Sequence, residues 1–162
     1  MDLYSEGNAE NARDLYPDMD LNQGILQAEN DFYTYLREVL FATPGAMYAV
    51  WEEEGVYISA LRLEPYRDGL LLEALETHPD YRKQGYAKKL LLATLTLLTD
   101  MEATVVYSHI HKGNVPSLKT HLSCGFERIS EQAVYIDGSV TNRCCTMQRL
   151  LPSAGKQEDS HL

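Results

Sequence analysis

Long apolar runs are missing from this 162-residue chain. The most leucine-rich stretch, Leu90–Leu98, is too short to cross a bilayer and is interrupted by threonines. No membrane span or membrane partner is expected. The amino end, Met1-Asp2-Leu3-Tyr4-Ser5-Glu6, lacks the basic region and apolar core of a secretory signal. Cysteine is scarce: Cys124, Cys144 and Cys145 are odd in number, and two are adjacent. They make neither a disulfide framework nor a C-x-x-C zinc pattern, so a reducing cytoplasm is the expected setting. Basic residues are also in deficit, with 14 Lys and Arg against 24 Asp and Glu and a formal net charge of −10. That balance argues against a nucleic-acid partner. It suits a cationic substrate such as an amine, and it serves solubility equally well.

What is present is enough chain for one well-packed core. Residues 1–151 read as a single domain and residues 152–162 as a polar tail, with no internal repeat. Asp2–Tyr4 is read as a short first strand, and Glu6–Asp20 as loop or irregular helix. Gln23–Phe41 has helical spacing of Ile25, Leu26, Phe32, Leu36, Val39 and Leu40, broken by Thr43-Pro44-Gly45. Met47–Trp51 and Val56–Leu63 form an antiparallel hairpin, and Leu70–Thr77 a central strand. A helix over Tyr86–Thr99, a strand over Ala103–His109 and a helix over Val115–Ser123 follow. The last helix has proline in its first turn and Gly125 just past its end. Phe126–Ile136 and Thr141–Leu150 close the fold as a hairpin around Asp137-Gly138. This order predicts an α+β fold with one mixed sheet.

Charge is unevenly spread. Residues before Phe41 are acidic, while basic residues gather around Arg82–Lys89 and at Lys112 and Lys119. In Arg82-Lys83-Gln84-Gly85-Tyr86-Ala87 a strand, a polar loop, a glycine and a helix follow in order. Glycine there lets backbone N–H groups approach a ligand, and the helix start behind it carries unpaired donors and partial positive charge. Such a turn suits a pyrophosphate. It matches neither the dinucleotide-binding nor the P-loop glycine pattern. Downstream comes Asn114-Val115-Pro116-Ser117-Leu118-Lys119-Thr120-His121-Leu122-Ser123-Cys124-Gly125-Phe126.

With both stretches in order, the chain resembles the GNAT superfamily of N-acetyltransferases. Arg82 through Ala87 is similar to that family's acyl-CoA signature, [RQ]-x-x-G-x-[GA]. Asn114, Ser117 and Gly125-Phe126 fall at its N-x-x-[AS]…G-F spacing. The resemblance runs from about Met47 to Arg149. It implies a mostly antiparallel central sheet with helices on both faces and with the family's fourth and fifth strands splayed; here these are Leu70–Thr77 and Ala103–His109. The implied activity is direct transfer of an acetyl group from acetyl-CoA to a primary amine, on a small molecule or a protein. Lys83, Gln84, Gly85, Tyr86 and Ala87 are implied to cradle the cofactor through backbone N–H groups, with Arg82 pinning the loop or pairing with phosphate. Leu75 and Thr77 are implied to pair with pantetheine as an added strand would, a backbone N–H near Leu75 serving as oxyanion donor. Asn114 and Ser117 either bind pantetheine or orient the following helix, asparagine being a favoured N-cap.

The proton-transfer groups stay open. Glu73 and Glu76 are candidate bases, placed on opposite faces by strand alternation, or else ion-paired structural groups; ordered water can do the same work. Where the family commonly has a tyrosine that protonates the leaving thiolate, this chain has His121, a competent but shorter acid. Tyr107 could substitute, unless it only packs the sheet. His109 and His111 share a strand face, but no acidic or cysteine ligand has matching spacing, so no metal is expected. Cys124 reads as a buried small hydrophobe sooner than a nucleophile. Phe32, Tyr33, Tyr35, Tyr48, Trp51 and Tyr57 belong to the core or line an acceptor pocket. The missing tyrosine leaves an acyl-CoA-binding domain of weak activity as the alternative. A monomer and a homodimer are both compatible, the carboxy-terminal hairpin offering an edge.

Overall fold

A computed structural model describes residues 2–152. The tail assigned to residues 152–162 lies, beyond its first residue, outside the described residues. Two helices lead the chain, α1 (Ser5–Leu15) and α2 (Leu21–Tyr35). Three strands follow, β1 (Met47–Glu53), β2 (Val56–Tyr66) and β3 (Gly69–Thr77). Then come α3 (Tyr86–Asp100), β4 (Val105–His111) and α4 (Val115–Ser123). The chain closes with β5 (Glu127–Ser130), a two-residue pair β6 (Ala133–Val134) and β7 (Val140–Thr141), and β8 (Cys144–Leu150). Six strands form one sheet in the order β1-β2-β3-β4-β8-β5, in which only β3 and β4 run parallel.

Strand alternation sends two sets of side chains to opposite faces. Leu61, Leu63, Leu72, Val106 and Met147 meet the apolar side of α3, where Leu91 and Leu98 are fully buried. Phe126 and Leu118 bring the end of α4 into the same cluster. The other face carries Arg62 and Glu64, and Tyr35 of α2 covers both. Its ring lies 5.0 Å from the Arg62 guanidinium, and its hydroxyl donates to Glu64 at 3.2 Å. Helices therefore lie on both faces, and the fold class is as the sequence predicts.

Four local expectations are corrected. Asp2–Tyr4 is a 3-10 helix and not a strand, leaving β1 at the sheet edge. Where loop or irregular helix is expected over Glu6–Asp20, the chain forms the regular α1, whose Asn8 and Ala12 are buried. The following helix gives way after Tyr35 to a π-helical turn over Leu36–Leu40, with the Phe41 N–H donating to the Leu36 carbonyl. The closing hairpin is divided, because residues 131–143 leave the main sheet and pair only as β6 and β7.

β3 and β4 pair over three rungs only, Leu70 with Val106, Leu71 with Tyr107 and Leu72 with Ser108. At the closed end, a Cβ on Gly69 would lie 2.2 Å from the Val105 carbonyl oxygen. Glycine is what allows the two backbones to meet there. Gly69→Ala is expected to cost at least about 2 kcal/mol by forcing the strands apart, measurable by chemical denaturation.

Candidate active site

Beyond Leu72 and Ser108 the two strands part, and the gap opens onto a cavity of about 770 Å³. Leu75, Glu76 and Thr77 line it from β3; Arg82, Lys83 and Gly85 from the loop; Asn114 and Ser117 from α4. The start of α3 completes it with Tyr86, Ala87 and Lys88. A β-bulge shapes the β3 wall. Arg62 pairs with Glu73 and Ala60 with Glu76, so β3 carries one more residue than β2 between these rungs. Ala74 takes the strain, with φ of +50°. The bulge shifts the alternation by one residue. Glu73 and Glu76 therefore lie on the same face, with Arg62 and Ala60, and not on opposite faces as simple alternation predicts.

The loop is set by its backbone. Lys83 and Gly85 are left-handed, at φ of +62° and +85°. Gly85 is the N-cap of α3 and offers no side-chain cap, so the first-turn amides face the cavity without one. Lys83, Lys88 and, from α4, Lys119 add positive charge to the cavity lining. Gln84 is turned away: its amide donates to the Asp80 carbonyl at 3.1 Å. Arg82 is engaged three ways. Its Nε donates to the Thr77 carbonyl at 3.1 Å, and its terminal nitrogens reach Glu76 at 3.0 Å and Glu6 of α1 at 2.6 Å. Of the two roles open to Arg82, the structure displays loop pinning. Glu6 was not foreseeable as its partner; the two are 76 positions apart with no motif linking them.

Ser59 braces the end of β3, its hydroxyl donating to the Glu76 carbonyl at 2.7 Å. On α4 the Asn114 side chain accepts from the Ser117 N–H at 3.1 Å, so it is the N-cap while also lining the cavity. His121 lies one turn beyond Ser117 and does not line the cavity. It is 1% exposed, packs edge-on against Phe126 at 5.0 Å, and its Nδ1 sits 2.9 Å from the Ser117 carbonyl. Its Nε2 is buried without a hydrogen-bond partner among the described residues. Tyr107 is also away from the opening, since its hydroxyl donates to Asp68 at 2.7 Å beside the β2–β3 turn. Cys124 is 4% exposed, and burial raises its thiol pKa, as fits a hydrophobe.

Both candidate carboxylates are held above their ordinary pKa by burial, against the opposing pull of an arginine. Glu73 accepts from Arg62 at 3.3 Å, and Glu76 is paired with Arg82. No cluster of His, Cys, Asp or Glu suited to a metal ion occurs among the described residues. No helix among them is long and apolar enough to cross a membrane.

Residues 10–126 match the profile of the Acetyltransferase (GNAT) family. The chain belongs to that family. Solved structures share the fold. PaiA N-acetyltransferase from Thermoplasma acidophilum, in complex with coenzyme A, aligns with a TM-score of 0.59 at 13% identity over 91% of each chain. IAA acetyltransferase from Bacillus cereus aligns at 0.58 and 17% identity, over 76% of this chain and 85% of that one. The ribosomal-protein-S18-alanine N-acetyltransferase of Escherichia coli aligns at 0.54 and 18% identity, over 75% and 80%. No curated protein matches the sequence.

Burial lowers the pKa of His121, and burial together with the Arg67 charge lowers that of His109. Both rings stay neutral in the folded chain where a free imidazole, at about 6.5, begins to protonate. The unfolded chain then binds more protons, so stability is full above about pH 6.5 and is lost as pH falls toward the lower folded pKa values. Thermal melts between about pH 7 and 5 are expected to show a falling midpoint, and His121→Leu to flatten that fall.

Proposed function

We propose that this protein is an N-acetyltransferase that passes an acetyl group from acetyl-CoA directly to a primary amine while both are bound. The observation that carries this reading is the uncapped start of α3, behind left-handed Lys83 and Gly85, facing a lysine-lined cavity where β3 and β4 part. The residues fit a pyrophosphate-bearing thioester. First-turn amides and the helix dipole favour phosphate oxygens, and the small Ala87 side chain leaves room for the ligand to approach the helix start. Past the last rung with β4, the β3 backbone at Leu75 and at Thr77, whose carbonyl also accepts from Arg82, is where the amides of pantetheine would pair.

Acetyl-CoA, when bound, supplies an activated acetyl thioester. The chain's own residues do the rest. Ala74 and Leu75 fall outside the β2–β3 register at the bulge, and a backbone N–H near Leu75 is the oxyanion donor of this reading. Arg82 holds the cradle shut against Thr77, and Asn114 fixes the start of α4 against Ser117. The acidic surface, at a net charge of −10, favours a cationic amine as acceptor.

A second reading is favoured by one observation. The position where the family commonly has a tyrosine is a buried histidine outside the cavity lining. An acyl-CoA-binding protein of the same fold, with little or no turnover, would need no acid there. Thiol release from acetyl-CoA in the presence of primary amines separates the two.

Ligand that binds only the folded state raises the melting point. At a hundredfold excess over Kd the gain is about 2.7 kcal/mol, or roughly 5–10 °C for a domain of this size. Acetyl-CoA is expected to give a shift of that order. Gly85→Glu, which sets a carboxylate and a strained φ at the cradle, is expected to abolish it. An unshifted wild type would remove the cofactor from the assignment.

A further inference from the structure

A second cavity, of about 430 Å³, opens on the face of the sheet opposite α3. Tyr48 and Val50 line it from β1. They pair with Arg62 and Ala60 on that face, whereas Met47, Ala49 and Trp51 join the α3 core. Val56 and Tyr57 add the start of β2, and Tyr4 and Leu36 the segments that flank α1 and α2. Leu36 opens the π-helical turn, a distortion often found at functional sites. His78 forms a further wall, one residue past the end of β3. The cavity therefore sits at the end of the sheet where β3 and β4 part. A single strand end separates it from the cofactor cleft: Glu76 and Thr77 line the cleft, and the next residue lines the cavity. The His78 and Tyr81 rings, one lining each space, meet edge-on at 5.4 Å.

The lining decides what fits. No Asp, Glu, Lys or Arg among the described residues lines this cavity, so a charge on the body of a ligand would be buried there without a partner. The Tyr4 and Tyr48 hydroxyls bond each other, which leaves their rings as the surface on offer. Phe32 of α2 backs the Tyr4 ring at 5.0 Å, and Phe41 backs that of Tyr48 at 6.4 Å. The His78 ring is fixed by the Asp80 N–H, which donates to its Nδ1 at 3.2 Å. Val50, Val56 and Tyr57 are 40%, 39% and 59% exposed, so apolar surface here still faces water. Aromatic side chains give such a space large apolar area and favour tilted or offset contact with another ring. Size and lining are those of a small-ligand site. Beside the cavity the charge changes. Glu76 follows Ala60 across the same face as Val50, and it shares the Arg82 guanidinium with Glu6. Two carboxylates on one guanidinium leave negative charge for an ammonium.

We propose that this cavity seats the body of the amine acceptor, and that the acceptor is an arylalkyl amine, an aromatic ring joined by a short alkyl chain to one primary ammonium. This rests on the N-acetyltransferase reading and names the substrate class that the reading leaves open. The ring packs among Tyr48, Val56 and Tyr57, and the ammonium lies past His78 toward Glu76 and the thioester. There it gives one proton to water. The neutral nitrogen bonds to the acetyl carbon, the carbon–sulfur bond breaks, and a second nitrogen proton ends on the departing thiol. A polyamine or an amino acid would have to bury a further charge among these side chains, and methylamine would leave them exposed.

The test compares three acceptors for thiol release from acetyl-CoA: phenethylamine, methylamine and putrescine, a diamine with a second ammonium where phenethylamine has its ring. Melting points with and without acetyl-CoA are recorded for the wild type, Val56→Trp and Tyr57→Ala. In the wild type, kcat/KM for phenethylamine is expected to exceed that for either other amine by about tenfold or more. Val56→Trp, which fills the cavity from a partly exposed position, is expected to erase that preference, and Tyr57→Ala to reduce it. A wild type that shows the acetyl-CoA shift yet has no preference, favours another of the amines or uses none overturns the proposal. So does a preference that Val56→Trp leaves intact. A wild type without the acetyl-CoA shift overturns the acetyltransferase reading itself. Should the variants not fold, the wild type is followed by NMR with CoA bound. Phenethylamine is expected to move the Tyr57 ring signals and putrescine to leave them in place; signals that phenethylamine does not move overturn the proposal.

Discussion

Two neighbouring strands that begin as partners and then separate impose a problem on any sheet, since the backbone groups that face the gap lose their ladder hydrogen bonds. Here the separation follows three rungs between β3 and β4 and is held open from both sides. At the closed end, Gly69 lets the backbones meet against Val105. At the open end the starts of α3 and α4 border the gap, the first with amides that no side chain caps and the second capped by Asn114. The cleft is thus a region of concentrated, unsatisfied backbone polarity inside an otherwise well-paired sheet. A long polar molecule with amides and phosphates relieves all of it at once.

The electrostatics divide along the same line. On the α3 side, lysines and helix amides meet the cleft. On the opposite face, carboxylates lie on and near the bulge: Glu73 and Glu76, with Glu64 and Tyr35 beside Arg62. Each of these acids has a donor partner in Tyr35, Arg62 or Arg82, which lets carboxylates sit partly buried without being forced neutral. The proposed transfer from acetyl-CoA to an amine would draw on both sets of charges.

Much of this was legible in the residues. The apolar period of Leu90–Leu98, the Asn114 cap, Pro116 and Gly125 delimited their helices with little error, because caps and breakers act locally. Arg82 through Ala87 and Asn114 with Ser117 pointed to the cleft, since a glycine-opened helix start has a local signature. The failures were non-local. Nothing around Asp2–Tyr4 distinguishes a strand from a 3-10 turn until tertiary packing decides. The Ala74 bulge has no glycine to announce it, so alternation put Glu73 and Glu76 on the wrong pair of faces. His121 fell at the right spacing for an acid, but spacing does not say that the ring turns under the helix toward Phe126. The place of His109 between Tyr66 and Tyr135 was not legible either, because it is a property of three distant segments.

The contact between Glu6 and Arg82 couples the first helix to the cofactor loop through a partly exposed ion pair, and salt weakens such pairs. Salt also screens the attraction between the cleft lysines and any phosphate. The two effects oppose each other. As the tether to Glu6 loosens, the Arg82 guanidinium is freed toward the anion that the lysines hold less tightly. Ionic strength then redistributes cationic contacts within the cleft instead of only removing them, and the number of lysines alone overstates how steeply anion binding declines with salt.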